Sequence, residues 1–236
     1  MAIAFNTALT GYVGSATSKT LTIAPSGTAD LLLAFVMTTN ASYTISSITW
    51  AGGADFSGTK VGPATVSSFK QYAAYLAAPT TGSNNLVVTI SSAGEIYCAG
   101  LFYDGAKQTG IFDNSALNTS SLVQPITTIA DNCWTVCSAL ADAGALASST
   151  NSTTRSTIQN TAWGVFDSNG AVTPAGSFTM TQTGSGSKGG VIVSFAPATA
   201  ATSQIKSADG VVLANIKSWD GVAIASVKSA SGVANS

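Results

Sequence analysis

Leu31-Leu32-Leu33-Ala34-Phe35-Val36-Met37 is an unbroken apolar run, bounded by Asp30 on one side and Thr38-Thr39-Asn40 on the other. Periodicity alone does not separate a buried strand from a buried helix in such a run. Its length is that of a strand, and its turn-prone flanks favour that reading. Further strand signals spread outward from it. Ser18 to Ile23 alternates polar and apolar residues, and Ile45 to Trp50 leads into the turn Ala51-Gly52-Gly53. Ser68 to Ala77, Asn85 to Ile90, Ile96 to Tyr103, Val123 to Ile129, Cys133 to Leu140, Thr161 to Phe166, Phe178 to Gln182 and Val191 to Phe195 follow. Turn signals separate them, among them Thr81-Gly82-Ser83-Asn84, Asp104-Gly105, Ser168-Asn169-Gly170 and Gly184-Ser185-Gly186. Many short strands with turns at this interval predict an all-β, antiparallel β-sandwich. One helix is predicted over 139–147, where Ala and Leu are good formers, against the opposing Gly144 and the Ser-Ser-Thr that follows.

Composition supports strands and excludes several chemistries. The 236 residues hold 63 Ser and Thr, while charged residues make up 8% against a usual quarter. Thr suits a pleated surface and Ser, Gly and Asn suit turns. Hydrophobic residues at 45% are enough for a core. A net charge of −1 and a single arginine, Arg155, cannot neutralise a phosphate backbone, so no nucleic-acid partner is expected. The absence of His removes the usual general base and the usual metal ligand. No apolar run approaches the ~20 residues of a membrane helix, so no membrane partner is expected. Met1-Ala2-Ile3-Ala4-Phe5-Asn6 lacks the charged and apolar regions of a signal peptide.

Pro197 to Gln204 is small and polar and is read as a linker, closing a sandwich domain at 1–196. Residues 205–236 form an 11-residue repeat. Ile205-Lys206-Ser207-Ala208-Asp209-Gly210-Val211-Val212 is followed by Ile216-Lys217-Ser218-Trp219-Asp220-Gly221-Val222-Ala223 and then Val227-Lys228-Ser229-Ala230-Ser231-Gly232-Val233-Ala234. A fixed internal period marks repeated supersecondary units. The unit parses as a strand and a three-residue loop, Ala208-Asp209-Gly210, Trp219-Asp220-Gly221 or Ala230-Ser231-Gly232, with Gly in the left-handed position. A two- or three-stranded meander of this size cannot bury enough surface to stand alone. It is expected to dock or oligomerise through Ile205, Val211, Leu213, Ile216, Trp219, Val222, Ile224 and Val227. Trp219, placed in a turn, suits an anchor in a partner pocket.

Other motifs read as structure. Gly184-Ser185-Gly186-Ser187-Lys188-Gly189 matches G-x-G-x-x-G but opens onto a strand, where a nucleotide site needs a helix. Cys133 and Cys137 would stand roughly 13 Å apart in a strand, too far to bond each other. Cys98 could pair with one of them, but three buried thiols are the favoured reading. Most acids lie beside turn residues, with no calcium-loop spacing. Asn40, Asn118 and Asn151 head glycosylation-type triplets of the kind chance supplies in so hydroxyl-rich a chain. No cofactor and no catalytic residue are expected.

Two segments carry resemblances. Leu31 to Val36, Ile45 to Gly52, Tyr72 to Pro79, Asn85 to Ile90 and Phe102-Tyr103-Asp104-Gly105-Ala106 together resemble a jelly-roll-like β-sandwich module of secreted bacterial and phage structural proteins. Ala78-Pro79-Thr80-Thr81-Gly82 departs from that module's double-proline turn. The tail repeats resemble those at the ends of tailed-phage virion proteins. These resemblances imply a non-enzymatic virion component (a head decoration or fibre protein, or a tail-fibre or minor tail protein) that assembles in the host cytoplasm. Its implied partners are other virion proteins and further copies of itself, for instance in a trimer. A carbohydrate-binding adhesin recognising host-surface glycans is the alternative, and a polysaccharide hydrolase with converging acids is the third.

Overall fold

The computed structural model describes residues 1–158 and 163–198 and, further on, the backbone of 207–208, 211–212, 218–219 and 222–223. The chain divides into two units, Met1–Ala198 and Thr199–Ser236.

Among its described residues the first unit is all-β apart from a single 3-10 turn at Ser57–Thr59. Its first six strands are β1 (Ala4–Ile23), β2 (Leu31–Thr38), β3 (Ile45–Trp50), β4 (Val61–Val66), β5 (Phe69–Ala77) and β6 (Asn84–Asp104). They pair in the order β1-β6-β2-β5-β4, with β3 on the early part of β6. The sequence suggests two strands at 85–90 and 96–103; the structure joins them. Early β6 pairs with β3 and late β6 with β2, while β1 follows both parts and shifts register between Val13 and Ser18. Early β6 therefore lies over one face of β2. The Cδ atoms of Ile23, Leu86 and Leu32 all lie close above the α-carbon of Gly100, where a Cβ would collide.

The next eight strands are β7 (Phe112–Asn118), β8 (Val123–Thr127), β9 (Trp134–Ala141), β10 (Ala147–Ser148), β11 (Thr153–Thr157), β12 (Trp163–Asp167), β13 (Ser177–Thr183) and β14 (Lys188–Phe195). They form a five-stranded sheet, β11-β12-β9-β14-β7, and a three-stranded one, β10-β13-β8. This set repeats the first. The order β7-β14-β9-β12-β11 is that of β1-β6-β2-β5-β4, strand for strand, and β8-β13-β10 matches late β1, early β6 and β3. The same bulge recurs. Phe5 faces Tyr103 and Thr7 faces Phe102, leaving Asn6 extra; Phe112 faces Phe195 and Asn114 faces Ser194, leaving Asp113 extra.

Residues 1–198 are thus one compact unit that contains two β-sandwiches of one topology. The duplication lies in strand order and bulge position, not in any readable period, so sequence periodicity cannot reveal it. The sandwiches pack reciprocally: β1 runs beside β11, the counterpart of β4, and β4 runs beside β7, the counterpart of β1. Four sheet layers result. Leu31, Leu33, Phe35 and Met37 enter a core shared with Val136, Trp163, Val165 and Phe195, while Leu32, Ala34 and Val36 enter the first sandwich's own core. On β9, Trp134, Val136 and Leu140 enter the shared core, and Cys137, Ala139 and Ala141 pack with Met180 and Ile192. Burial on both faces removes the polar half of the usual alternation, so these strands read as continuous apolar runs.

The helix expected over 139–147 does not form. Ala139 to Ala141 complete β9, paired with Lys188 to Gly190 of β14. Pairing on both edges and burial on both faces outweigh the weak helical preference of Ala and Leu.

In the second unit, β15 (Ser207–Ala208) pairs with β16 (Val211–Val212), and β17 (Ser218–Trp219) with β18 (Val222–Ala223). Ala208 faces Val211 and Trp219 faces Val222, so two residues separate the paired positions, where three were expected. Asp209-Gly210 and Asp220-Gly221 have the composition that two-residue hairpin loops favour.

Candidate interaction surfaces

The chemistry-bearing side chains of the first unit are spent on holding it together. Gln71 of β5 is fully buried and makes its three side-chain bonds to the second sandwich. Its Oε1 accepts from Ser138 Oγ at 3.0 Å and Trp163 Nε1 at 3.1 Å, and its Nε2 donates to the Gly189 carbonyl at 3.1 Å. Asp167 accepts from Arg155 Nε at 2.6 Å and from the Tyr103 hydroxyl at 3.0 Å. A buried carboxylate needs such partners to remain tolerable.

Several other acids serve turns. Asp55 accepts from the backbone N–H of Ile48 and of Ser57, both at 2.8 Å. The Ile48 bond is the main cause holding the Asp55 carboxyl below its ordinary pKa. Asp113 accepts from Ile129 N and Ala130 N, Asp131 from Ala175 N, and Asp142 from Ser187 N. Asp142 thereby ties down the loop of the glycine-rich motif, which joins β13 to β14 as a strand connection. No cluster of three metal-ligating side chains occurs among the described residues. Cys98, Cys133 and Cys137 are free and buried. Burial pushes the thiols of Cys98 and Cys133 up to about 12, far from nucleophilic reactivity at neutral pH.

Aromatic rings are mostly inside. Trp50 donates its indole N–H to the Thr80 carbonyl at 2.8 Å and packs on Phe102. Tyr72, Tyr97, Tyr103 and Trp163 are buried with it. None of these five offers a ring face to a sugar, so a glycan platform would need other residues. Tyr12, 39% exposed, is set on β1 beside Tyr97 and donates to Glu95 Oε1 at 3.0 Å.

Two concavities lie among the described residues of the first unit. One, of about 430 Å³, lies among Met1, Ile3, Asn132, Trp134, Ala171 and Pro197. The other, of about 310 Å³, lies among Ser120, Leu122, Gln182, Thr183 and Lys188. The first is lined mostly by apolar residues, the second mostly by polar ones.

The tail is the other candidate surface. Val211, Trp219 and Val222 are placed in strands, so Trp219 stands in a paired position opposite Val222, where the sequence suggested a turn. Strand pairing needs only one residue more, on the first arm, than the three-residue loop allows, and Trp is a good strand former. Ile205, Leu213, Ile216, Ile224 and Val227 lie outside the described residues. The pairing recurs at the sequence period: Ser207 with Val212, then Ser218 with Ala223, 11 residues on.

No protein-family model, curated protein or solved structure matches this chain.

Proposed function

We propose that this chain is a non-enzymatic structural component of a tailed-bacteriophage virion, with the double sandwich as displayed body and residues 205–236 as the docking or oligomerising element. The recurrence of one hairpin pairing at an 11-residue offset carries the reading. A two-stranded hairpin is marginal alone, and a series of them gains stability by stacking on neighbours or a partner surface. The body supports the same reading. Its carboxylates hold turns and its thiols are buried, which suits a load-bearing role. Its hydroxyl-rich, charge-poor composition puts little electrostatic repulsion between neighbours in an assembly. Its partners are other virion proteins and further copies of itself, in a particle assembled in the host cytoplasm and then released.

Deletion of residues 205–236 from the virion-encoded gene tests the proposal. Purified particles should lose the protein while the truncated chain keeps its β-type circular dichroism. Truncated chain found in particles at the normal level would reject the docking role.

A further inference from the structure

We infer that the cleft between the β7–β8 turn and the start of β14 is a binding site for one acidic sugar, a hexose ring bearing a carboxylate. The cleft lies where the two sandwiches differ. In the first, β1 and β6 each run on as one strand. In the second, the matching strands are interrupted: residues 119–122 part β7 from β8, and 184–187 part β13 from β14. A cavity of about 310 Å³ opens beside these interruptions. That is at the small end of ligand-pocket sizes and suits a single sugar ring.

Both interruptions are held in place. Asn118 Oδ1 accepts from Ser120 N at 3.1 Å and Ser121 N at 2.9 Å, and its Nδ2 donates to the Val123 carbonyl at 2.6 Å. Asp142 holds the opposite loop through Ser187 N at 2.6 Å. Gln182, which lines the cleft, is buried and fixed by Gln124 Nε2 at 2.9 Å and Ser152 Oγ at 3.1 Å. Walls already ordered cost little further entropy when a ligand enters.

The carboxylates described above are spent on the unit's own bonds, but this cleft keeps unspent groups. The Lys188 ammonium and the hydroxyls of Ser120 and Thr183 line it and have no hydrogen-bond or ion-pair partner among the described residues. Ser121 Oγ accepts from Val123 N at 3.0 Å, which leaves its proton free to donate. One ammonium matches one negative charge. Asp142, next in the chain to the Ala141 that pairs with Lys188, opposes a second. This charge balance favours a carboxylate over a phosphate dianion. The three hydroxyls both donate and accept, as the hydroxyls of a sugar do. Leu122 adds an apolar surface for the C–H groups of the ring.

This site adds a ligand to the displayed body and does not rest on the tail. Saturation-transfer NMR on the full chain tests it, with glucuronate as the probe and glucose and inorganic phosphate as comparisons. Transfer to glucuronate should saturate in the millimolar range, the range open to so small a ligand. Glucose lacks the carboxylate and should bind about tenfold more weakly, and Lys188→Gln should cost glucuronate a similar factor. Lys188→Arg should retain binding, with the circular dichroism of both variants unchanged. Thr183→Val, at an exposed site, should give a smaller loss and covers failure of Lys188→Gln to fold. No saturable transfer to glucuronate, equal transfer to glucose, or full binding by a folded Lys188→Gln or Thr183→Val variant overturns the proposal. So does displacement of glucuronate by an equal concentration of phosphate, which marks an anion site without sugar recognition. Each of these results leaves the docking role of residues 205–236 standing.

Discussion

The Tyr103 hydroxyl donates to Asp167 Oδ2 at 3.0 Å and so joins β6 of the first sandwich to β12 of the second. Arg155 Nε reaches the same oxygen at 2.6 Å, and its guanidinium lies 4.1 Å from the centre of the Phe5 ring. Phe5 in turn meets Tyr103 edge-on at 5.7 Å. Burial, then the neighbouring Asp167 charge, holds the Tyr103 phenol well above its ordinary pKa. One buried carboxylate therefore organises a phenol, a cation and a ring drawn from both sandwiches.

Asp167→Ala should cost about 3–5 kcal/mol, because Arg155 and Tyr103 both lose their partner in a low-dielectric site. Tyr103→Phe should cost less, about 1.5–3 kcal/mol, since Arg155 keeps its carboxylate. Urea unfolding of both variants checks the order; equal costs would show that the ion pair contributes nothing.

Gln71→Leu should destabilise by at least ~2 kcal/mol, since it strands the Trp163 N–H and the Ser138 hydroxyl in the shared core. The denaturant midpoint should fall with an unchanged slope. Exchange protection should drop most at the shared core, and protection lost instead at β3 would contradict this placement.

The bulge residues are structural counterparts with unequal strength. Asn6 accepts from Ser26 N at 3.1 Å, whereas Asp113 accepts from Ile129 N at 2.6 Å and Ala130 N at 3.0 Å. Asn6→Ala should cost about 1 kcal/mol and Asp113→Ala about 2 kcal/mol, the larger value reflecting charged acceptance of two N–H groups. Local exchange at Ser26 and at Ile129–Ala130 reports each loss separately.

Alkaline pH should unfold the first unit through groups that stay protonated inside it. Burial first, with Glu95 adding to it, pushes Tyr97 up to about 12, and burial pushes Cys98 and Cys133 there too. The folded values exceed the unfolded ones, so this stability is complete below about pH 9, the ordinary thiol value, and is lost as pH rises toward 12. The urea midpoint should fall between pH 8 and 10.5. A disulfide reagent at pH 8 should find no reactive thiol in the native chain and three after denaturation.

Acid acts through Asp55. Its folded pKa is depressed, so its contribution is present above the ordinary carboxylate value of 3.8 and is lost as pH falls through the lower folded value. Asp55→Asn should flatten the stability profile below pH 4; an unchanged acid limb would remove Asp55 from the account.

The strands with strong apolar content were legible at once. Leu31 to Met37, Val191 to Phe195 and the core of β9 read correctly because burial on both faces leaves a continuous run. The first fourteen residues of β1 did not read as strand, because Ala4 to Thr17 mixes hydroxyls, glycines and single apolar residues without a period. β4 was hidden by Pro63, and β7 and β11 by their polar faces. All four lie at edges, where half the hydrogen bonds and much of the packing are missing and the residue pattern is least constrained. The tail period was visible from its Lys and Gly spacing, but the hairpin loop length was not, since Ala208 and Trp219 suit either a loop or a strand end.

Local chemistry therefore determined that this chain is β-structured, that its interior strands are doubly buried candidates, and that its last 32 residues carry an 11-residue sequence repeat. Side-chain alternation and turn composition act over a few residues and need no distant partner. The pairing of two sandwiches of one topology and the place of Asp167 and Gln71 between them were decided only by tertiary structure. Each depends on which strand lies beside which across a hundred residues or more, and no short-range pattern encodes that choice.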